Sequence, residues 1–292
     1  MVAQQLVNGL FLGAVYALFA IGYTLVFGVL DILNLAHAAI FMLAAFAAWS
    51  LIGAGVPLAV AAPLAIAGAG LLGIVLDRIA FAPLRRRGAP SLIALISSIG
   101  MAIIFGAIAR GIYGPDERRF TLGFLQAPPL HAGPLTFTIV QLVILANAIV
   151  FMLGLAWVMR STALGRGIRA VAEDRVAAAL LGIDLERTIA ATFFIASALG
   201  GVAGILTALQ YNSVQVDMGG QIELKGLAVI VLGGMGSITG AVIGGFVIGM
   251  VETLAVVFGL SEWRDAISYG VMFLILILRP TGLFGKRALR TA

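Results

Sequence analysis

Long, nearly uninterrupted apolar runs divide this chain, and most have the length that crosses a lipid bilayer. About twenty consecutive apolar residues in a helix span the hydrocarbon layer, where a helix pairs its own backbone hydrogen bonds. The runs lack the strict alternation of apolar and polar positions that a transmembrane β-strand requires. The pattern therefore predicts an all-α membrane protein, a polytopic bundle of about 8–9 transmembrane helices.

The predicted spans follow the limits of the apolar runs. They cover residues 6–27, 35–51, 56–80, 91–110, 137–159, 188–211, a short piece from 224, then 239–260 and 265–278. The stretch 224–260 is too long for one crossing, and the sequence Gly-Gly-Met-Gly-Ser at 233–237 divides it. Two short pieces, 35–51 and 224–236, either cross completely or re-enter the membrane. We expect residues 1–292 to form a single transmembrane domain.

The composition supports a lipid environment. Hydrophobic residues make up 62% of the chain and charged residues 11%, whereas a soluble domain has about 25% charged residues. The absence of cysteine excludes disulfides and thiolate metal sites, and we expect no metal site of another kind. The basic residues lie in short blocks between apolar runs, which is typical of charges that set membrane topology rather than bind nucleic acid.

The positions of Lys and Arg predict the orientation, because these residues accumulate on the cytoplasmic side. The blocks at 85–87, 160–187 and 286–290 are placed inside, with Arg78 and Arg279 at span ends. Five basic residues then remain outside, namely Arg110, Arg118, Arg119, Lys225 and Arg264. This arrangement makes 160–187 a cytoplasmic loop and 111–136 a periplasmic loop, with the N-terminus outside and the C-terminus inside.

The loop at 160–187 has the pattern of a folded segment. Its apolar positions recur at three- and four-residue steps and predict one face of a short amphipathic cytoplasmic helix. These positions are Ile168, Ala172, Val176, Ala179 and Ile183. Arg169 and Glu173 have the i,i+4 spacing of a helical ion pair, and Gly182 is suited to end the helix. Such a helix could lie on lipid, but its nearly balanced charges favour a cytoplasmic protein partner.

Polar and glycine-rich positions inside the apolar runs are candidates for a translocation path. They are Asn34, His37, Gly233, Gly234, Gly236, Ser237 and Glu252. The stretch 233–240 either forms a broken helix that lines a cavity or is a cytoplasmic turn. Asn34 and His37 either line the path or form a satisfied turn at the membrane surface. Glu252 either faces a cavity or contacts a neighbouring helix.

Glycine is abundant, with 37 residues, and in lipid small residues let helix backbones approach closely. Several pairs have GxxxG spacing: Gly9/Gly13, Gly200/Gly204, Gly236/Gly240/Gly244 and Gly245/Gly249. Their density predicts a tightly packed bundle, which is most often found in transporters.

Three stretches together carry a resemblance to a known family. They read NGLFLGAVYALFAIGYTLVFGVLDILNLAHAAIFML at 8–43, GRGIRAVAEDRVAAALLGID at 165–184 and KGLAVIVLGGMGSITGAVIGG at 225–245. In order and spacing they resemble the first span with its Asn-x-Ala-His segment, the cytoplasmic coupling region and the glycine-rich stretch of one family. That family is the LivH-type permease subunits of branched-chain amino acid ABC importers.

The resemblance implies a transport subunit of the inner membrane and not an enzyme. It implies a second, LivM-like permease, two ATPases similar to LivG and LivF, and a periplasmic substrate-binding protein as partners. ATP and Mg would be bound by those ATPases, with no cofactor on this chain, which has no G-x-x-x-x-G-K-[ST] phosphate loop. The residues expected to couple this chain to the ATPases are Arg166, Gly167, Arg169, Ala170, Glu173, Asp174, Gly182 and Ile183.

The resemblance implies import of Leu, Ile and Val or of another small amino acid. Relatives of this type also carry urea, short amides or aromatic acids. The family's His is usually followed by Gly and an acidic residue, whereas His37 is followed by Ala38, Ala39 and Ile40, so the preferred solute stays open.

Two other classes of function fit the residues less well. A stand-alone secondary transporter or channel typically has paired ionisable groups at mid-membrane, and Glu252 is the one clear candidate in the sequence. A membrane-embedded enzyme would need a catalytic cluster such as H-E-x-x-H, and the two histidines, His37 and His131, form none.

Overall fold

The computed structural model describes residues 2–126, 128–133 and 135–285, and these are mostly helical. The helices are α1 (Val2–Leu30), α2 (His37–Gly53), α3 (Leu58–Leu76), α4 (Ala82–Arg86), α5 (Ser91–Tyr113), α6 (Ile139–Ser161), α7 (Ala163–Glu173), α8 (Arg175–Leu180), α9 (Leu185–Tyr211), α10 (Met218–Gly233), α11 (Ile238–Val257) and α12 (Arg264–Leu278). A π-helical turn, Asp77–Phe81, joins α3 to α4, and a short hairpin of β1 (Leu130–Ala132) and β2 (Leu135–Phe137) precedes α6. The predicted basic block at 286–290 lies outside the described residues.

Six of the described helices are long and apolar enough to cross a membrane. They are Val2–Leu30, Leu58–Arg86, Ser91–Tyr113, Ile139–Ser161, Leu185–Tyr211 and Ile238–Val257. The second of these is the continuous helix formed by α3, the π-helical turn and α4. The predicted class, a helical protein with several membrane spans, is therefore confirmed. Helices α2, α10 and α12 have only 17, 16 and 15 residues, so a total of about 8–9 crossings stays a prediction.

Helices α1 and α9 form the centre of the bundle. Their most apolar windows are 83% and 78% buried, whereas those of α5 and α6 are each 22% buried. On α5 and α6 the exposed side chains are large and apolar, such as Ile103 and Leu153. Apolar side chains that find no protein neighbour on a spanning helix are those that lipid covers. The central helices therefore hold the helix–helix contacts within the chain, and α5 and α6 hold much of the exposed apolar surface, which lipid or another membrane protein can cover.

The loops collect on two opposite faces of the bundle. One face, called the basic face, holds the end of α1, the α4–α5 turn, the segment 160–187 and the 233–237 turn. There Arg175 donates to the Val29 carbonyl at 2.9 Å, and Arg85 contacts Glu186 at 3.4 Å. The other, called the opposite face, holds the start of α1 and residues 114–126, 128–133 and 135–138, where Gln4 donates to the Thr136 carbonyl at 2.8 Å.

Two parts of the chain repeat the same arrangement in opposite directions. Helix α1 ends at Leu30 on the basic face, and a six-residue link then returns into the bundle to start α2 at His37. Helix α9 ends on the opposite face, and a link of equal length returns to start α10. Both links open with a residue at positive φ, Asp31 at 53° and Asn212 at 48°. Asp and Asn tolerate this left-handed conformation better than most residues, which explains the sharp reversal.

The first turns of α2 and α10 meet inside the bundle. A Cβ added at Gly219 would lie 2.6 Å from the carbonyl oxygen of Ala38, so only glycine permits this approach. Residues 31–36 and 212–217 thus place irregular backbone within the membrane domain. Such backbone is tolerated at membrane depth where protein surrounds it, and discontinuous helices of this kind are common in transporters.

Candidate functional site

The segment 160–187 folds as two short helices rather than one. Thr162 caps α7 by accepting a hydrogen bond from the Gly165 amide at 3.0 Å. Asp174 has extended backbone (φ −155°, ψ 114°), and its carboxylate accepts from the amides of Val176 at 2.8 Å and Ala177 at 3.0 Å. An Asp in this position caps a new helix, so α7 ends at Glu173 and α8 begins at Arg175.

This break makes the predicted single apolar face wrong. Ile168 is buried as expected, and Val171 and Ala178 are buried beside it, but Val176 is 72% exposed. Of the other predicted positions, Ala172 and Ala179 are exposed and Ile183 is half-buried, and Ala172 already lies before the break. The register changes at Asp174, so the positions after it no longer continue the face of α7. As a result α8 presents a cluster of exposed apolar side chains to solvent, here called the α8 patch and consisting of Val176, Leu180 and Leu181.

The predicted coupling residues lie together around this break. Exposed members of the set are Arg166, Arg169, Glu173, Asp174 and Gly182, and half-buried members are Gly167, Ala170 and Ile183. Gly182 follows α8 with φ 82°, so its predicted role as the stop of a helix is confirmed. The segment is held to the bundle, because Gly167 lies against Thr188 at the start of α9.

The glycine-rich stretch is the turn between α10 and α11. Gly233 ends α10, Gly234 and Gly236 have positive φ, and Ser237 caps α11 by accepting from the Gly240 amide at 3.1 Å. A cavity of about 290 Å³ lies between this turn, α1 and α7, with Arg169, Glu173 and Gly236 in its wall. Of the two interpretations offered by the sequence, the structure matches the turn, and it places that turn against α7 on the basic face.

Asn34 and His37 are part of the buried link between α1 and α2. Asn34 precedes α2, and its carbonyl accepts from the His37 amide at 3.1 Å, so the two residues do not share a helix face. The His37 ring fills the space left by Gly22 and Gly200 and packs on Phe19. Both side chains are buried, at no more than 1% exposed.

These two side chains also leave polar atoms without protein partners. Among the described residues, both amide atoms of Asn34 and both ring nitrogens of His37 have no hydrogen bond, and neither has the hydroxyl of Tyr23. Buried polar groups are normally satisfied, and small clusters of them commonly bind ordered water. These unpaired atoms do not fit the satisfied turn that was the alternative interpretation.

Glu252 belongs to a buried ionic network that joins four helices. Its Oε1 contacts Lys225 Nζ at 2.7 Å, and its Oε2 accepts from the Tyr16 hydroxyl at 2.9 Å. Lys225 Nζ also contacts Asp265 Oδ1 at 2.9 Å and lies 5.4 Å from the centroid of the Tyr16 ring. Tyr16, Lys225, Glu252 and Asp265 come from α1, α10, α11 and α12, respectively. Glu252 thus contacts neighbouring helices, as one of its two interpretations proposed.

Lys225, which the sequence placed outside with four other basic residues, is buried in the bundle and does not lie in a loop. It is in the middle of α10 and only 9% exposed, because the ion pairs with Glu252 and Asp265 compensate its burial. The network borders a cavity of about 680 Å³ on the side of the opposite face, with Tyr16, Lys225 and Asp265 in its wall.

A comparison with known proteins assigns the family. Residues 5–276 match the family described as the permease component of branched-chain amino acid transport systems. This chain belongs to that permease family. The permease is 33% identical over 302 residues to the high-affinity branched-chain amino acid transport permease LivH of Salmonella typhimurium, covering 97% of this chain and 95% of the relative.

Other relatives of the permease agree. It is 36% identical over 296 residues to the high-affinity branched-chain amino acid transport permease BraD of Pseudomonas aeruginosa, with the same coverage of both chains. A more distant relative is the autoinducer 2 import system permease LsrC of an Enterobacter species, at 29% identity over 65% of this chain and 55% of its own length. The resemblance found in the sequence is therefore confirmed, and the permease is an integral inner-membrane protein.

Proposed function

We propose that this chain is the transmembrane permease subunit of an ATP-binding cassette importer that moves branched-chain or other small amino acids across the inner membrane. The family match over residues 5–276, with relatives aligned along nearly their full length, carries this proposal. The chain binds no cofactor of its own, and ATP and Mg are bound by partner ATPases. A second permease similar to LivM, two ATPases similar to LivG and LivF, and a periplasmic binding protein complete the importer.

In this proposal the basic face is cytoplasmic and the segment 160–187 receives the ATPase. Supporting this, the α8 patch exposes three large apolar side chains beside Arg166, Arg169 and Asp174. A contiguous cluster of exposed apolar side chains outside the membrane typically marks a surface that another protein covers. The cavity between α7 and the 233–237 turn offers a direct connection, because a shift of α7 would press on the turn that joins α10 to α11.

The docking of the ATPase is tested by placing a charge in the α8 patch. Leu180→Glu is expected to abolish co-purification of the ATPases with the permease pair, because a carboxylate buried in an apolar interface loses its hydration. Combined reversal at Arg169 and Glu173 should weaken the complex as well. Phe258→Glu is the matched control, an exposed apolar residue on the opposite face (75% exposed) that should leave the complex intact.

Retention of the ATPases by both coupling variants, with uptake still dependent on ATP, would show that this surface does not receive them. Amino acid uptake by the permease alone in liposomes without ATPase would instead support the stand-alone secondary transporter. The substrate is tested by measuring which solutes the cognate binding protein binds. Urea, short amides and aromatic acids are the alternatives to branched-chain amino acids.

A further inference from the structure

Two cavities of different chemistry adjoin on the side of the opposite face. The first, here called the charged cavity, has a volume of about 680 Å³ and has Asp217, Lys225, Arg264 and Asp265 in its wall. The second, here called the apolar cavity, has a volume of about 260 Å³, and the aliphatic and aromatic side chains of Phe11, Leu12, Val15 and Ile144 form one part of its wall. The polar residues Asn8, Gln141, Thr207, Gln210, Tyr211 and Thr253 complete it. Thr207 and Tyr211 belong to both walls, so the two spaces meet at these side chains.

The wall of the charged cavity carries equal numbers of positive and negative side chains. Lys225 and Arg264 are the cations, and Asp217 and Asp265 are the anions. A solute with a single charge would be repelled by one pair as strongly as it is attracted by the other. A solute that carries one charge of each sign pairs favourably with both, so the cavity is complementary to a zwitterion.

The four charges are not equally available to a solute. Lys225 is buried and its ammonium contacts both Glu252 and Asp265, so its charge is already compensated. Arg264 is half exposed, and within the described part of the chain its guanidinium has one ion-pair contact, to Asp265 at 3.5 Å. Because a guanidinium has five N–H donors, it has capacity left for a carboxylate. Asp217 is 83% exposed and contacts Arg110 at 3.4 Å. An exposed ion pair of this kind is weak, so a solute's ammonium group can replace Arg110 as its partner.

The apolar cavity is suited to an aliphatic side chain. Apolar side chains from α1 and α6 form part of its wall, and the polar side chains Asn8 and Gln141 in that wall are bonded to each other at 3.2 Å. The hydroxyls of Thr207 and Thr253 donate to backbone carbonyls of their own helices. Because these polar groups already have hydrogen-bond partners, an apolar solute can bind beside them without leaving a donor or acceptor unpaired. Burial of an aliphatic side chain against Leu12 and Val15 would contribute favourable free energy of binding through the hydrophobic effect.

We propose that the charged and apolar cavities together form a solute site for a zwitterionic amino acid with an aliphatic side chain. Arg264 binds the α-carboxylate, Asp217 binds the α-ammonium group, and the side chain enters the apolar cavity past Thr207 and Tyr211. Lys225 is a positioning residue, which holds Asp265 beside Arg264. This inference rests on the proposed function, because it assumes that amino acids are delivered to the opposite face.

The charged half of the site is tested in the complete importer, with both permeases, both ATPases and leucine-loaded binding protein in excess, reconstituted in liposomes. Arg264→Gln and Asp217→Asn are each expected to lower leucine uptake about tenfold, the loss typical of one missing specific contact to a solute. The number of leucine molecules moved per ATP hydrolysed should fall as well. Arg119→Gln is the control, since this exposed cation on the same face pairs with Glu117 and lies outside both cavities.

Two results would overturn the charged half of the proposal. One is wild-type uptake by both variants. The other is a parallel fall in uptake and ATP hydrolysis at an unchanged ratio, which would assign these side chains to docking of the binding protein.

The apolar half is tested by the ratio of leucine to valine uptake, since the two solutes differ by one methylene. Leu12→Phe is expected to reduce the ratio about tenfold by filling the cavity, and Val15→Ala to raise it by enlarging the cavity. The ratio is internal to each variant, so partial loss of folded protein does not change it. Ile103→Phe, at an exposed position of α5, is the control of equal bulk. An unchanged ratio in both cavity variants would refute the assignment.

The wild-type importer separates failure of this inference from failure of the proposed function. If it shows no ATP-dependent amino acid uptake, both fail together. If it transports and the variants keep its uptake and its leucine-to-valine ratio, the solute site is wrong and the importer assignment stands.

Discussion

At the scale of single residues, Lys225 and Glu252 form an ion pair that is buried between α10 and α11. Their side chains are 11% and 2% exposed and their contact is 2.7 Å. Breaking a buried pair by removing one partner typically costs about 3–5 kcal/mol, because the other charge stays buried without compensation. Lys225→Met is therefore expected to lower the free energy of unfolding by about this amount, measured by denaturant unfolding of the purified permease in detergent.

A double substitution distinguishes the pair from simple packing. Lys225→Met combined with Glu252→Gln removes both charges, so it should recover most of the stability that Lys225→Met loses. The exposed pair Arg119–Glu117 is the control, and Arg119→Met should change stability by no more than about 1 kcal/mol. A double variant that is at least as unstable as the single one would contradict the ion-pair explanation.

The same pair shows what residue patterns could and could not predict. Glu252 was recognisable as a charge inside an apolar run. Lys225 stands near the start of such a run, where a surface position and a buried one look alike in sequence. Its burial depends on Glu252 and Asp265, which are distant along the chain and meet it only after α10, α11 and α12 have packed.

At the scale of helices, α1 and α11 approach each other backbone to backbone at glycine. A Cβ added at Gly249 would lie 2.5 Å from the Gly13 amide nitrogen and 2.6 Å from its Cα. Backbone atoms cannot rotate aside, so a larger residue must push the helices apart. Overpacking of this kind typically costs about 1–3 kcal/mol, and Gly249→Val should destabilise the permease by at least this amount in the same unfolding experiment.

The matched control for this prediction is Gly106→Val in α5. A Cβ there meets no atom within 4 Å, and valine is no worse a helix former than glycine, so this substitution should not destabilise the helix. Equal destabilisation by the two variants would show that helix propensity, and not the α1–α11 contact, explains the effect. The GxxxG spacing predicted at Gly9/Gly13 and Gly245/Gly249 thus corresponds to a real interhelical contact.

Helix limits were predictable where apolar runs decide them and less so where local capping decides them. The start of α5 at Ser91 and the end of α9 at Tyr211 fall where the apolar pattern places them. The division of 160–187 into α7 and α8 was missed, because an Asp inside an amphipathic pattern looks like one more polar position. Its capping of Val176 and Ala177 is a local hydrogen-bonding choice that periodicity does not contain.

At the scale of the whole molecule, the inverted arrangement of α1–α2 and α9–α10 was not recognised in the sequence. The two links, 31–36 and 212–217, have the same length but share few residue types. The first opens with Asp31 and the second with Asn212. What repeats is backbone geometry, since a helix end, a reversal and a half-helix recur. The two segments have opposite orientations, so their side chains pack against different neighbours. They can therefore share a backbone geometry without similar side chains.

The two faces of the molecule lead to a prediction about its orientation in the membrane. The basic face carries Arg85, Arg175 and the α8 patch, so it should be cytoplasmic. The chain has no cysteine, which makes single-cysteine variants free of background. Val176→Cys and Arg119→Cys, both at exposed positions on opposite faces, are to be treated with a membrane-impermeant maleimide in sealed vesicles.

In inside-out vesicles Val176→Cys should be labelled and Arg119→Cys protected, and in right-side-out vesicles the pattern should reverse. Labelling of both variants after detergent treatment controls for accessibility, and Phe105→Cys, buried within α5, should stay largely unlabelled in either preparation. The opposite pattern would place the α8 patch and the segment 160–187 outside the cell. An ATPase could not then reach them, and the two adjoining cavities would open toward the cytoplasm. The proposed coupling surface and the proposed solute site therefore both require the basic face to be cytoplasmic. Labelling of Val176→Cys and Arg119→Cys measures this orientation directly.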